Sequence, residues 1–233
     1  MGSHHYSIAE KDLALKYLAT FDKVSVRESD SAQYLRKLLE RPIEHVLDPT
    51  LLLSKNEWLS TLKLNKPFSQ RPYILVYVLR KNRILSKTVN LVAKSLGMDV
   101  IIIDQDPFTT LKCNTHVRDA GPRDFVELFS NASFVITNSF HGTAFSVNFN
   151  VPFIVTPPPS GLNRIMSLLT AVGAESRVIK SEEEASKVIC DPINFEEINI
   201  NLNALRTKSK SYIESSMREI FTNNENKILE EAR

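Results

Sequence analysis

Ser133-Phe134-Val135-Ile136-Thr137-Asn138-Ser139-Phe140-His141-Gly142-Thr143-Ala144-Phe145-Ser146 is the stretch on which the fold of this chain turns. Phe134-Val135-Ile136 is a short, unbroken apolar run, as in a strand buried on both faces. Thr137, Asn138 and Ser139 interrupt it, and His141, Gly142 and Thr143 open a small-residue helix expected over 141–148. Where a strand turns into a helix, the first helical N–H groups lack partners. Those groups and the helix dipole favour an anion. A histidine there can hydrogen-bond, transfer a proton or carry charge, and Gly142 lets another group approach the backbone closely.

The segments on either side repeat the strand–helix alternation. Tyr73-Ile74-Leu75-Val76-Tyr77-Val78-Leu79 reads as a doubly buried parallel strand. A helix over 83–96 closing at Gly97 follows, then the strand Val100–Ile103, a looser stretch over 104–120, and a helix from Gly121-Pro122 to Ser130. Beyond the opening stretch come a strand at 151–155, the stiff Pro157-Pro158-Pro159-Ser160-Gly161 loop, a helix over 162–172 ending at Gly173, and a short helix opening at Ser181. Upstream, helices are expected at 8–20, 31–40 and 54–64 and short strands at 23–26 and 44–47. Ser54 and Glu57 stand at capping-box spacing, and Pro42 stops the second helix.

This alternation argues for an open parallel α/β sheet, with ligands outside the carboxyl ends of the strands. Residues 65–72 read as a linker. The expected organisation is a partial N-terminal α/β module over 6–66, a C-terminal α/β domain over 70–200 and a helical tail over 201–233 whose last residues fray.

Composition narrows the classes. The 233 residues are 42% hydrophobic, enough for a normal core, and the net charge of +2 gives no electrostatic case for nucleic acid as a partner. Cys113 and Cys190 are far apart and match no metal-ligand spacing, so reduced thiols and no metal site are expected. No run reaches membrane-spanning length and no signal-peptide pattern is visible, which makes the cytoplasm the expected location. Met1-Gly2-Ser3-His4-His5 reads as a cloning remnant or as native sequence behind an internal start, and no chemistry is assigned to His4 or His5. Neither GxGxxG nor GxxxxGK[ST] occurs, against a familiar dinucleotide site or P-loop.

Two arginines complete the candidate set. Arg27 follows the strand Lys23–Val26 and has the planar fork that grips carboxylate or phosphate; its structural alternative is an ion pair with Glu28 or Asp30. Asn163-Arg164 opens the helix after the proline loop, where a positive charge opposes the dipole; its alternative is a solvated surface arginine. Asp48-Pro49-Thr50 reads as a turn and helix cap. Two arginines, a histidine and a helix start at a sheet rim describe a site for a polyanionic small molecule and transfer from a phosphorylated donor. No paired nucleophile and base stand out for a covalent intermediate.

Val24-Ser25-Val26-Arg27-Glu28, Val46-Leu47-Asp48-Pro49-Thr50, Ala132 to Ser146 and Asn163-Arg164-Ile165 together resemble, in order and spacing, the successive motifs of the polysaccharide pyruvyl transferase family. The resemblance implies a GT-B-like pair of Rossmann-like domains, here a partial one over 6–66 and one over 70–200, with a cleft between them. It implies transfer of a pyruvyl group from phosphoenolpyruvate, a donor substrate rather than a cofactor, onto sugar hydroxyls as a ketal in cell-surface glycan synthesis. The implied acceptor is a sugar or lipid-linked saccharide, met at the inner face of the membrane where it is lipid-borne; self-association stays open. His141 and Arg27 carry over as catalytic, and Asn138, Ser139, Gly142, Thr143, Asn163 and Arg164 as substrate-binding. Some members have arginine where Ser139 stands and an aliphatic residue where Phe140 stands, which shifts donor binding toward Arg27 and Arg164. Residues 8–64 are short for a first domain of such a protein, so truncation is expected. The alternatives are a GT-B glycosyltransferase using a nucleotide-sugar and a truncated, inactive remnant.

Overall fold

The computed structural model describes residues 7–64, 68–69, 71–107, 109–158 and 160–231. Met1–His5 and part of the expected linker lie outside them. The chain forms two compact units, one comprising the chain up to Leu52 together with residues from Asn203 on, the other Leu53–Leu202.

In the first unit, α1 (Ile8–Leu18) opens with a reciprocal cap: Glu10 N–H donates to Ser7 Oγ, and Ser7 N–H to the Glu10 carboxylate at 2.7 Å. β1 (Ser25–Val26) and β2 (Glu44–His45) pair in parallel, Ser25 opposite Glu44 and Val26 opposite His45. They are shorter than the apolar pattern predicts. Between them α2 (Ser29–Leu39) starts two residues earlier than expected and ends at Glu40, whose φ of 50° turns the chain before Pro42. Ala32, Leu35 and Ile43 form the core of this unit. A 3₁₀ turn over Pro49–Leu51 follows β2. The C-terminal helix, Phe195–Glu231, is docked through polar bonds. Arg206 Nε donates to the Leu51 carbonyl (2.8 Å), Leu47 N–H to Ser209 Oγ (2.9 Å) and the Tyr212 hydroxyl to the Val24 carbonyl (3.2 Å). It starts six residues before the expected tail and is helical through Glu231.

The second unit is a five-stranded, wholly parallel sheet. α3 (Lys55–Thr61) carries the expected Ser54–Glu57 capping box. Then come β3 (Tyr73–Tyr77), α4 (Arg83–Leu96), β4 (Asp99–Ile103), β5 (Thr115–Val117), α5 (Pro122–Asn131), β6 (Phe134–Thr137), α6 (Phe140–Phe149), β7 (Phe153–Val155), α7 (Leu162–Val172) and α8 (Glu182–Cys190); the C-terminal helix is α9. The strand order β5-β4-β3-β6-β7 places the longest apolar strand in the middle. Ile74, Leu75 and Val76 are fully buried, as a parallel strand covered on both faces requires. One face packs Ile74, Val76, Ile102 and Ile136 against Leu85, Val89 and Val92 of α4. An aromatic cluster also builds this unit: Phe145 lies 5.3 Å from Phe125, 5.2 Å from Phe149 and 5.5 Å from Trp58 between ring centroids. β5 falls in the stretch read as loop, because a three-residue edge strand with half-exposed residues leaves no apolar run to recognise.

Candidate active-site elements

The β6–α6 junction is fixed by Thr137. Its Oγ1 donates to the Tyr77 carbonyl (2.6 Å) and accepts from Ser139 N–H (3.1 Å). A Cβ on Gly142 would meet that same Oγ1 at 2.2 Å. The group that Gly142 admits is therefore Thr137, which seats the first turn of α6 on the strand end. Residues 142–149 are all buried, so packing holds the helix start in place.

Ser139 occupies the N-cap position, yet its side chain makes no capping bond. Thr143 Oγ1 donates back to the Ser139 carbonyl (3.0 Å), and Ser146 Oγ to the Gly142 carbonyl (2.7 Å). The Ser139 side chain thus stays out of the cap, and the positive end of the helix dipole at such a start favours an anion. His141 is half-buried in this turn, its ring 5.5 Å from that of Phe140 at 76°. The Arg164 guanidinium carbon lies 5.8 Å from the same Phe140 ring, within cation–π range. Arg164 sits in the first turn of α7, whose N-cap Gly161 has a φ of 76° and which has no acidic residue in that turn.

The sequence-derived residues fall into two groups. Asn138, Ser139, Gly142 and Thr143 are buried, His141 and Arg164 are half-buried, and Asn163 is exposed, all in the second unit. Asn138 acts on its neighbours: Leu79 N–H donates to its Oδ1 (2.9 Å) and its Nδ2 donates to the Arg80 carbonyl (2.7 Å). Arg27 belongs to the first unit. Its guanidinium pairs with the Asp48 carboxylate, and it faces a cavity of about 330 Å³ also lined by Ser31, Leu47 and Ile213. Asp48 is 3% exposed. It accepts from Thr50 N–H (3.1 Å) and the Thr50 hydroxyl (2.7 Å). Burial alone would raise its carboxyl pKa; the Thr50 bonds and Arg27 outweigh that and hold it below the usual range.

Asp48 and Phe140 are the residues that motif reasoning undervalues. Asp48 does cap the 3₁₀ turn as expected, but the parallel pairing of β1 and β2 also places it where it can hold Arg27. Two motifs distant in sequence are therefore one electrostatic unit. The loop after β3, Leu79 to Arg83, carries no recognisable motif, although it follows a parallel strand as the other candidates do. Among the described residues, no group of three or more His, Cys, Asp or Glu side chains is placed to hold a metal, and no helix is long and apolar enough to cross a membrane.

Fold and junction together describe a Rossmann-type α/β protein with an anion-favouring helix start at the rim of its parallel sheet. The family model described as polysaccharide pyruvyl transferase matches residues 3–158, and the chain belongs to that family. No curated protein sequence matches it significantly. Among solved structures it is similar to UDP-GlcNAc 2-epimerase from Neisseria meningitidis, at a TM-score of 0.60 and 15% identity, over 90% of this chain and 64% of that one. The glycosyltransferase SnogD from Streptomyces nogalater matches at 0.43 and 14%, over 82% and 63%. The wall teichoic acid polymerase TagF matches at 0.41 and 12%, over 91% and 63%. The chain thus spans less than two thirds of each, and at 15% identity its likeness to the epimerase is one of fold.

Proposed function

We propose that this protein serves the transfer of a pyruvyl group from phosphoenolpyruvate to a saccharide as a cyclic ketal, in the synthesis of a cell-surface glycan. The observation that carries this reading is the α6 start, where His141 and Arg164 both lie beside the Phe140 ring. In the chemistry proposed, one sugar hydroxyl adds to C2 of the enol phosphate as C3 takes a proton. A second hydroxyl then attacks C2, the C2–O–phosphate bond breaks, and inorganic phosphate leaves with the remaining proton. His141 is suited to donate the proton to C3 or to bond the phosphate. The helix start and Arg164 are suited to the charge that gathers on phosphate. Arg27, held by Asp48, has the fork that grips a carboxylate or phosphate, and its catalytic part is proposed from the family motif. The sequence as outlined uses no cofactor beyond the donor. The acceptor is proposed to be a sugar or lipid-linked saccharide, reached from the cytoplasmic side.

The test is calorimetric binding of phosphoenolpyruvate to the wild type, His141→Ala and Arg27→Ala. Saturable binding that weakens in both variants supports the proposal. Stabilisation by a nucleotide-sugar with none by phosphoenolpyruvate would favour a nucleotide-sugar transferase. Binding unchanged in both variants would point to a non-enzymatic remnant.

A further inference from the structure

The loop joining β3 to α4 carries a second basic feature on the rim of the five-stranded sheet. Arg80, Lys81, Asn82, Arg83 and Ile84 line a cavity of about 500 Å³, and Pro157 and Pro158 from the loop after β7 form its other wall. That volume falls within the range of small-ligand sites. Arg80 and Arg83 are exposed, and among the described residues neither has a carboxylate partner. Lys81 differs: its ammonium is held by Asp104 (2.7 Å) and Asp106 (2.9 Å), so it anchors the loop while the two arginines supply unmatched charge.

The loop is built rather than loose. Asn138 bonds it at both Leu79 and Arg80. Asn82 accepts from Leu85 N–H (2.8 Å), capping α4, and donates to the Pro157 carbonyl (3.2 Å), tying one cavity wall to the other. β3 and β6 are adjacent, with Tyr77 opposite Thr137, so this loop and the His141 helix start leave the sheet from neighbouring strand ends. Arginine forks suit phosphate oxygens bidentately, and Ile84 with the two prolines offers an apolar surface for the carbon skeleton beside them.

We propose that this cavity is a subsite for a diphosphate group, gripped by Arg80 and Arg83, and that it holds the phosphorylated end of the saccharide acceptor. The acceptor assignment rests on the function proposed above; the diphosphate site does not. Such an anchor would let one rim bind the acceptor by its carrier group while the sugar hydroxyls remain available to react.

The experiment is titration of the full chain with inorganic pyrophosphate, inorganic phosphate, geranyl diphosphate and phosphoenolpyruvate, comparing wild type with Arg80→Gln/Arg83→Gln. Both substitutions are at exposed positions, and thermal melting verifies the fold. Expected is pyrophosphate binding tighter than phosphate and weakened roughly tenfold or more in the double variant, as two charge-assisted grips are lost. Phosphoenolpyruvate affinity should fall by much less, because an exposed charge that does not touch the ligand acts through salt-screened solvent. Geranyl diphosphate tighter than pyrophosphate would assign the group to a lipid-borne source, and equal affinity to a free one. Absence of pyrophosphate binding, its survival in the double variant, or an equal loss of phosphoenolpyruvate binding would overturn the proposal. Arginine-dependent pyrophosphate binding with no phosphoenolpyruvate binding would leave the subsite standing and remove the pyruvyl-transfer reading.

Discussion

Gly142 and Thr137 are in such close contact that a Cβ at position 142 would fall 2.2 Å from Thr137 Oγ1 and 2.8 Å from Thr137 Cβ. Thr137 cannot turn aside freely, because that oxygen is bonded to the Tyr77 carbonyl and to Ser139 N–H. The requirement for glycine is thus one of packing between a strand end and a helix start, and the position of His141 follows from it.

Gly142→Ala should therefore destabilise the protein by about 1–3 kcal/mol through overpacking, despite the better helix propensity of alanine. Denaturant midpoints measure this. Thr137→Ala removes the closest atom but not Thr137 Cβ, so the double variant should be more stable than the sum of the single losses predicts. Strict additivity of the two losses would refute the contact as their cause.

The Arg27–Asp48 pair makes a pH prediction. The folded carboxyl of Asp48 titrates below its ordinary value near 3.8, burial being outweighed by the Thr50 bonds and Arg27. Its stabilising contribution is then fully present above the unfolded pKa of about 4 and is lost as pH falls through the lower folded value. Asp48→Asn should lower stability at pH 7 and show a shallower loss between about pH 5 and pH 2 than the wild type. Parallel acid-denaturation curves would show that Asp48 does not couple to folding in this way.

The central sheet could be read from the sequence because its strands are unbroken apolar runs. Ile74 to Val76 and Val135 to Ile136 carry no surface residues to confuse the pattern, and the Ser54–Glu57 and Gly97 helix boundaries follow from local chemistry. Thr115–Val117 could not be read, since an edge strand this short depends on its partner β4 for its existence. The candidate site was readable at residues whose type announces chemistry, His141 and the arginines. It was not readable where a residue matters through its contacts. Asp48 needs the β1–β2 pairing, Asn138 needs the adjacent β3 loop, and Phe140 needs the start of α7 before its role can be seen.

Phe140 is the ring shared by His141 and Arg164. On the proposed function, Phe140→Leu should weaken phosphoenolpyruvate binding by about two- to fivefold, the worth of an exposed cation–π contact and the orientation it gives Arg164. Stability should change by less than about 1.5 kcal/mol, since the ring is only half-buried. Phe140→Tyr keeps the aromatic face and should bind nearly as well as the wild type. Calorimetry of the two variants decides the matter, and equal affinities would remove the ring from the site.

Asn138 joins the family motif to the β3 loop, and its two variants separate hydrogen bonding from charge. Asn138→Ala leaves Leu79 N–H and the Arg80 carbonyl without their partner, at a cost of about 1–3 kcal/mol. Asn138→Asp keeps the acceptor for Leu79 but sets a carboxylate oxygen against the Arg80 carbonyl at a position 1% exposed. At neutral pH the aspartate should be the worse of the two, because a buried charge lacking a full set of donors is costly. Burial and the facing carbonyl raise the folded pKa of that aspartate above its unfolded value, so its destabilisation is greatest at high pH and recedes as pH falls. Protonated, the carboxyl can donate to the Arg80 carbonyl and accept from Leu79 N–H, restoring both bonds of the asparagine. The stability gap between Asn138→Asp and Asn138→Ala should therefore narrow or reverse between pH 7.5 and pH 5 in denaturant titrations. A gap independent of pH would mean that the Asn138–Arg80 bond is not what holds this loop against the motif.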